Sequence, residues 1–379
     1  MDILFIRKSV PMKKTVFSLS DTNQNVNYDT FDIPDEDNMR TVKKSHQKKS
    51  FSGAEFSGTK LFNNDLQEIP KLVDPIFPKV GVVSLVGSSD TGKSTILRQL
   101  AISVALGLDD FIGYRLNTTS RNVICVSTED DPFSTSVSLK KVANYMKEAY
   151  KADLSRLDHI KFIFDVDNSP SSPNYIVKAL RKDLQSVKTD LIIIDAFTDV
   201  FNGEINSSTK VREFLNQFNK IAQEFECLII FLHHTGKGKD KLSASKDNVL
   251  GSQAFEAKMR ALIELRKHPN DENLRFLAIT KGNYLSSAVK KKAKILKFDE
   301  KNLVFSVHEE NIALSELNSV AKSHPRKKEI LNEILQMPEN LSIRGITSEL
   351  QAKGFNISKT SVENYLKEVR LSKRGGITL

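Results

Sequence analysis

Val82-Val83-Ser84-Leu85-Val86-Gly87-Ser88-Ser89-Asp90-Thr91-Gly92-Lys93-Ser94-Thr95 is the stretch that decides the fold of this chain. In it, a short apolar run ends at Gly87, and a helical pattern begins at Ser94. Between these two points lies the spacing G-x-x-x-x-G-K-S, which is typical of a phosphate-binding loop. Glycines let the backbone fold around an anion, so that successive N–H groups point at phosphate oxygens. The strand–loop–helix order therefore predicts a site for a nucleoside triphosphate, which we expect to be ATP.

Two side chains of this loop have specific predicted roles. Lys93 supplies a positive charge for the β- and γ-phosphates, and Ser94 supplies a hydroxyl for Mg²⁺ at the positive end of the following helix. The alternative, a glycine-rich turn that matches by chance, does not account for the flanking strand and helix. The predicted nucleotide-binding set is Gly87, Ser88, Ser89, Asp90, Thr91, Gly92, Lys93, Ser94 and Thr95.

The composition indicates a basic protein without a membrane span. The chain has 379 residues, of which 39% are hydrophobic, and a formal net charge of +9. ATP alone does not require this surplus of positive charge, so nucleic acid is the natural anionic partner. No apolar stretch approaches the roughly 18 residues of a membrane span. Because both cysteines, Cys125 and Cys227, lie in apolar runs, we expect buried thiols in a soluble protein of the cytoplasm.

The order of the predicted elements indicates an α/β fold with a doubly wound, mostly parallel sheet. Besides the strand that precedes the phosphate loop, strands are predicted at residues 122–128, 159–164, 191–195 and 227–234. Helices that alternate with these strands are predicted at residues 95–106, 134–149, 175–187 and 210–225. Antiparallel strands that complete the sheet are expected at residues 260–266, 274–280, 294–298 and 303–307.

Composition and pattern divide the chain into four predicted segments. They are a disordered polar tail at 1–60, an α/β ATPase domain at 61–312, a linker at 313–325 and a small C-terminal domain at 326–379. The tail is rich in Asn, Asp, Ser, Thr and Lys and lacks a sustained hydrophobic period, which is typical of a solvated segment. An arm that binds nucleic acid is the alternative. Whether Met1 or Met12 is the first residue stays open.

The C-terminal segment predicts a winged helix-turn-helix. Three short helices are expected at residues 329–337, 343–352 and 358–369, and Gly375-Gly376 predicts a hairpin between Leu371 and Leu379. The third helix carries basic residues that would face duplex DNA in such a domain, namely Lys359, Lys367 and Arg370. The alternative is a winged helix used for docking to another protein.

Carboxylates that follow two predicted strands indicate what the triphosphate is for. Asp195 follows four apolar residues and is placed to hold Mg²⁺ together with Ser94. Glu129 ends the strand at 122–128, where a carboxylate can orient and deprotonate the water that attacks the γ-phosphate. Asp130 and Asp131 are alternatives for this role, and either can instead cap the next helix. Hydrolysis of ATP, with Lys93 and Glu129 as catalytic residues, is the predicted chemistry.

A tandem pair, His233-His234, ends a later strand and precedes a lysine-rich loop. A polar group at this position can contact the γ-phosphate and transmit its loss to the loop. We therefore predict that His234 is a catalytic sensor. Metal binding is the weaker alternative, because no cysteine or third ligand lies nearby in the sequence.

In this order, the motifs resemble those of the RepA-type hexameric replicative helicases, which are RecA-like ATPases of plasmids, phages and mobile elements. After the phosphate loop, the matching motifs are S-T-E-D-D at 127–131, I-I-D at 193–195, H-H-T-G-K at 233–237 and G-S-Q-A…R at 251–260. The resemblance, which covers residues 66–285, implies a ring, with a hexamer expected, and ATP hydrolysis at subunit interfaces. It also implies that Arg260 acts as an arginine finger on the neighbour's ATP, with Lys281 as a weaker alternative.

The resemblance also implies that loops after the Asp195 and His234 strands contact single-stranded DNA at the centre of the ring. Phosphate-binding candidates in the second loop are Lys237, Lys239, Lys241 and Lys246. A solvated loop is the alternative reading, and the long lysine-rich insert and Gln253 depart from the family's pattern.

The predicted function is an ATP-hydrolysing motor that acts on DNA, and in finer terms a ring-forming replicative helicase of a mobile element. The alternative is an ATP-gated DNA-binding regulator or recombination mediator that does not unwind DNA. Motifs for hydrolysis across an interface favour the first, whereas the predicted helix-turn-helix favours the second.

Overall fold

The structure, a computed structural model, describes residues 57–164, 175–236, 238, 244–251, 253–269, 271–314, 327–338 and 340–375. Its strands are β1 (Lys71–Asp74), β2 (Phe77–Pro78), β3 (Gly81–Gly87), β4 (Asp110–Phe111), β5 (Tyr114–Leu116), β6 (Val123–Ser127), β7 (Ile160–Ile163), β8 (Leu191–Asp195), β9 (Leu228–His234), β10 (Ala261–His268), β11 (Asp271–Gly282), β12 (Lys292–Asp299) and β13 (Val304–Ala313). Its α-helices are α1 (Gly58–Phe62), α2 (Lys93–Leu106), α3 (Pro132–Tyr150), α4 (Tyr175–Ser186), α5 (Phe197–Val200), α6 (Ser208–Phe225), α7 (Gln253–Lys258), α8 (Ser287–Lys290), α9 (Lys327–Gln336), α10 (Ile343–Ala352) and α11 (Lys359–Gly375).

A mixed nine-stranded sheet organises the described residues. Its strand order is β13-β12-β11-β10-β3-β9-β8-β6-β7, and the strands from β10 to β7 are mutually parallel. The strands β10 to β13 pair antiparallel with one another, as the sequence predicts. The predicted α/β class and parallel-dominant sheet are therefore confirmed.

Both faces of the parallel strands are covered, which explains their uninterrupted apolar sequences. Every residue of β8 is buried, because α2 packs on one face of the sheet and α4 and α6 pack on the other. Helix α6 turns one apolar stripe to the sheet, and this stripe includes Phe214, Phe218 and Ile221. The two cores fix the carboxyl ends of β3, β6, β8 and β9 at one edge of the sheet.

The segment before the phosphate loop is extended, as its prolines predict, and belongs to a second sheet. This sheet has four short strands in the order β2-β1-β5-β4. Its partner strands, β4 and β5, contain only two and three residues and have no alternating pattern, so local sequence does not reveal them. Helix α1 begins at Gly58, after the Ser57 side chain that caps it, and thus starts within the last residues assigned to the tail. Residues 1–56 lie outside the described part.

The C-terminal helices form a small core of their own, which includes Ile330, Ile346, Leu350 and Val362. The predicted three helices are present, but the hairpin is wrong over the described residues, because α11 continues through Leu371 to Gly375. The residues between Val369 and Gly375 contain no helix breaker, so backbone i→i−4 hydrogen bonding continues for more than one further turn. Residues 376–379 lie outside the described part.

None of the described helices is long and apolar enough to cross a lipid bilayer.

Candidate nucleotide site

The loop between β3 and α2 has the backbone that an anion-binding loop requires. Gly92 adopts a φ of 92° directly before α2 begins at Lys93. A Cβ at Gly92 would lie 2.7 Å from the ring of Phe305, and one at Gly87 would lie 2.4 Å from the carbonyl oxygen of Leu265. Both positions therefore require glycine, because any side chain would displace the loop from its neighbours.

Lys93 lies inside this loop and is only 6% exposed. Its Nζ donates a hydrogen bond to the carbonyl oxygen of Ser88 at 2.8 Å. Burial lowers the pKa of Lys93, and the negative charges of Asp195, Glu129 and Asp90 oppose this effect. A buried ammonium that faces carboxylates across a glycine-rich loop is well placed to exchange its carbonyl partner for phosphate oxygens.

Asp195 lies at the carboxyl end of β8, where it pairs in register with Ser127 of β6. Its Oδ1 atom is buried and has no hydrogen-bond partner among the described residues. Burial raises the pKa of Asp195 to about 6, while a hydrogen bond from Ser94 and the charge of Arg98 act in the opposite direction. A buried carboxylate oxygen without a donor is costly unless a cation approaches it.

These residues fit Mg²⁺. Hard oxygen ligands, such as the Ser94 hydroxyl and the Asp195 carboxylate, are those that Mg²⁺ prefers, and it normally keeps water and phosphate oxygens as its other ligands. In keeping with this, the described residues contain no cluster of three or more His, Cys, Asp or Glu side chains that could enclose a metal alone. The metal would thus bind together with the nucleotide.

Replacing Asp195 with Asn should stabilise the protein in the absence of nucleotide and Mg²⁺. The carboxyl pKa is about 6 in the folded chain and 3.8 in its ordinary state, so ionising it at pH 7 costs on the order of 2–3 kcal/mol of folding free energy. This cost is absent below pH 3.8, grows between pH 3.8 and 6, and is constant above. Denaturant unfolding of Asp195→Asn should therefore show a gain at pH 7 that vanishes near pH 3.8. An equal gain at both pH values would contradict this account.

Glu129 and His234 come together beside the phosphate loop. In the β3–β9 pair, His234 lies opposite Gly87, and its Nε2 lies 3.5 Å from Oε1 of Glu129. The Glu129 side chain is 47% exposed, so it is accessible to water at the mouth of the site. Both residues thus lie at the edge of the sheet that carries the phosphate loop, as their predicted roles require.

The other member of the tandem, His233, is part of the core. Its ring packs against Phe197 and Phe255, with centroids 4.9 and 4.5 Å away, and its Nε2 lies 3.0 Å from the carbonyl oxygen of Leu250. Burial lowers the pKa of His233 to about 4, so the ring is neutral at pH 7. Alternation along β9 thus separates a buried histidine from one that faces the site.

Asp130 and Asp131 have partners that distinguish them from Glu129. The Asp131 carboxylate caps α3 by accepting hydrogen bonds from the backbone N–H groups of Phe133 and Ser134. Asp130 accepts a 2.5 Å hydrogen bond from Arg98 of α2. Of the three acidic residues, Glu129 is the one whose contact is with a histidine of the site, which favours it as the general base.

Sequence patterns do not reveal Arg98 and Thr128, which brace the site. Arg98 ties the acidic turn to the helix that follows the phosphate loop. The Thr128 hydroxyl lies 2.8 Å from the carbonyl oxygen of Asp195 and 3.0 Å from the nitrogen of Ala196. Arg98 has a signal of a kind, since it lies one turn after Ser94 on a face that meets β6.

Arg260 lies at the opposite edge of the sheet from the phosphate loop. Its backbone N–H donates to the carbonyl of Val82 at 2.8 Å, and its guanidinium stacks on Tyr284 at 5.7 Å. Lys281 is nearby and pairs with Glu256 at 3.0 Å. Strand β3 runs from this edge to Gly87, a distance of about 20 Å for its seven residues. Neither basic residue is therefore placed to contact the nucleotide of its own chain.

The candidate DNA-binding lysines are only partly covered by the structure. Lys237, Lys239 and Lys241 lie outside the described residues. Lys246 is described: it lies in a short 3₁₀ helix, Lys246–Asn248, with its Nζ 3.8 Å from Oε1 of Glu256. Lys359 and Lys367 are exposed on α11. Arg370 lies in the same helix, but its side chain is outside the described part.

The ends of the lysine-rich loop are fixed beside His234. The N–H of Gly236 donates to Asn248, and that of Leu250 donates to His234. Buried Glu264 accepts hydrogen bonds from the backbone of Ser245 and the side chain of Asn248, at 3.1 and 3.3 Å. A displacement of His234 would therefore be felt at the base of this loop.

The fold and the site define a nucleotide-binding protein with a phosphate loop on an α/β sheet. Comparison with known families agrees, since residues 53–240 match the profile of a family described as "AAA domain". Among solved structures, the ATPase domain of a phage replicative helicase is similar at 15% sequence identity and a TM-score of 0.47, over 61% of this chain and 86% of that one. No curated protein matches the chain. The matched family region contains the phosphate loop, Glu129, Asp195 and His234, and it ends before Arg260.

Proposed function

We propose that this protein is an ATP-hydrolysing motor that acts on DNA as a ring, and that it is a replicative helicase of a mobile element. The observation that supports this most strongly is the division of the basic and acidic groups between the two edges of the sheet. Lys93, Glu129 and Asp195 lie at one edge, whereas Arg260 lies at the other. A site with its arginine at the far edge is complete only when a second copy supplies it.

Within one subunit, this chain's own residues would bind and orient the triphosphate. The loop N–H groups and Lys93 would hold the β- and γ-phosphates, and Glu129 would orient and deprotonate the attacking water. Mg²⁺, bound at Ser94 and Asp195, would offset negative charge on the phosphates. His234 lies between Glu129 and the base of the lysine-rich loop, so loss of the γ-phosphate would alter its contacts.

DNA would be held by charge rather than by base recognition. The lysines of the loop at 236–248, which are Lys237, Lys239, Lys241 and Lys246, would contact the phosphates of single-stranded DNA. The basic residues of α11 would contact duplex DNA. Coupling between the two activities would pass through Glu264, which anchors the loop to β10 beside the phosphate loop.

An ATP-gated DNA-binding regulator is the second candidate function. It is favoured by the small C-terminal core, in which α10 and α11 are joined by the short segment 353–358 in the manner of a helix-turn-helix. In this case, hydrolysis would reset DNA binding without unwinding.

Strand displacement on a forked DNA separates the two functions. With ATP and Mg²⁺, the wild type should release the displaced strand, and the Lys93→Ala variant should release none, because it lacks the ammonium that holds the phosphates. ATPase activity that single-stranded DNA stimulates, without displacement, would contradict the helicase and support the regulator. A Lys220→Ala variant, altered at an exposed position of α6, is the control for loss of a positive charge.

A further inference from the structure

The carbonyl groups of the phosphate loop need donors of their own. When successive N–H groups of a loop point inward at an anion, the carbonyl groups point outward, and a buried carbonyl without a donor is costly. Ser88 is satisfied within the loop, since its carbonyl accepts hydrogen bonds from Lys93 and from the Thr91 hydroxyl. The carbonyl of Thr91 accepts one from outside the loop, from Nε of Arg275 at 3.0 Å.

Arg275 belongs to β11, in the antiparallel part of the sheet, and is only 7% exposed. Its Nη1 donates to the carbonyl oxygen of Leu274 at 2.9 Å, and its guanidinium lies 6.0 Å from the ring of Phe298. These contacts leave little rotational freedom to the side chain. A permanently charged group is therefore held against the outer wall of the phosphate loop.

The same antiparallel strands support the loop at a second point. The ring of Phe305, in β13, fills the space where a Cβ of Gly92 would lie. Gln99 of α2 fixes Phe305 through two buried hydrogen bonds, one to its N–H at 2.7 Å and one to its carbonyl at 2.9 Å. Phe298 and Phe305 pack together at 4.8 Å. The wall that carries Arg275 is thus continuous with the helix that begins at Lys93.

We propose that Arg275 is a positioning residue for nucleotide binding. It holds the Thr91 carbonyl outward, which keeps the loop N–H groups turned toward the phosphates, and its charge adds to the positive field of the loop. The proposal rests on the proposed nucleotide site. A residue that only joined strands would affect folding stability and leave the affinity of the folded protein for nucleotide unchanged.

The test is the affinity for a fluorescent ADP, measured by titration at a temperature where each variant is folded. Arg275→Met keeps an apolar stem over Phe298 and removes the donor and the charge. We expect it to weaken ADP binding about tenfold, since a hydrogen bond from a charged group is lost. Arg275→Lys keeps the charge and a donor, and should recover most of the affinity.

The matched control is Lys297→Met, which removes a positive charge from an exposed position on the neighbouring strand β12 and should leave affinity unchanged. A folded Arg275→Met variant with wild-type affinity would overturn the proposal. If that variant does not fold, Arg275→Gln takes its place, and the same two outcomes decide. Lys93→Ala is titrated in parallel: wild-type affinity there would reject the nucleotide site itself, whereas loss there with no change at Arg275 would reject only the role of Arg275.

Discussion

Replacing Glu129 with Gln is expected to lower the rate of ATP hydrolysis about 10³-fold while leaving ATP affinity within about a factor of two. The amide keeps the size of the carboxylate and its ability to contact His234, but it cannot accept a proton from the attacking water. The measurement is single-turnover hydrolysis with saturating Mg²⁺·ATP, together with the Kd for ATP. Binding should persist because Lys93 and the loop N–H groups are untouched.

The neighbouring acids provide the control for this prediction. Asp131→Asn keeps a good cap for α3, and it should hydrolyse ATP at close to the wild-type rate. Asp130→Asn weakens the contact with Arg98 and should have an intermediate effect, because it loosens the turn that carries Glu129. Normal hydrolysis in Glu129→Gln, with loss in Asp130→Asn, would move the general base to Asp130.

Replacing Arg260 with Ala is expected to lower hydrolysis by about 10³-fold or more, the usual contribution of an arginine finger. Nucleotide affinity should change little, because Arg260 lies at the edge of the sheet remote from its own phosphate loop. Arg260→Lys keeps a charge but loses the planar fork and the stacking on Tyr284, so it should recover only part of the rate.

A control for Arg260 exists on the adjoining strand. Lys267 is exposed near the far end of β10, and Lys267→Ala removes the same charge without approaching the proposed interface. If Lys267→Ala loses as much activity as Arg260→Ala, the effect reflects net charge rather than a finger. If Arg260→Ala retains full activity, the trans role passes to Lys281.

The parts of the fold that could be predicted are those written in local sequence. The uninterrupted run of β8 ends at Asp195 because both faces of that strand are buried. The spacing of the phosphate loop determined the position of Lys93 in the same way, by requiring a strand before it and a helix after it. Alternation along β9 could also have separated His233 from His234, since only one of two adjacent strand residues can face the site.

The remaining features depend on contacts between residues far apart in the chain. Arg275 lies 184 positions from Thr91, and the Gln99–Phe305 bonds span 206 positions, so no local period reveals them. The C-terminal hairpin was wrong for a different reason. A glycine pair is a hairpin signal only between two strands, and the residues before Gly375 are compatible with a helix, which α11 extends through them.

The most direct test of the central proposal, that each catalytic site takes residues from two subunits, is to mix two inactive variants. Lys93→Ala retains Arg260, and Arg260→Ala retains the phosphate loop, so in randomly mixed rings about one interface in four combines the two intact halves. The proposal predicts that ATPase activity, absent in either variant alone, returns on mixing to a substantial fraction of the wild-type rate. Activity that stays at the level of the separate variants, when both bind to each other and fold normally, would contradict it.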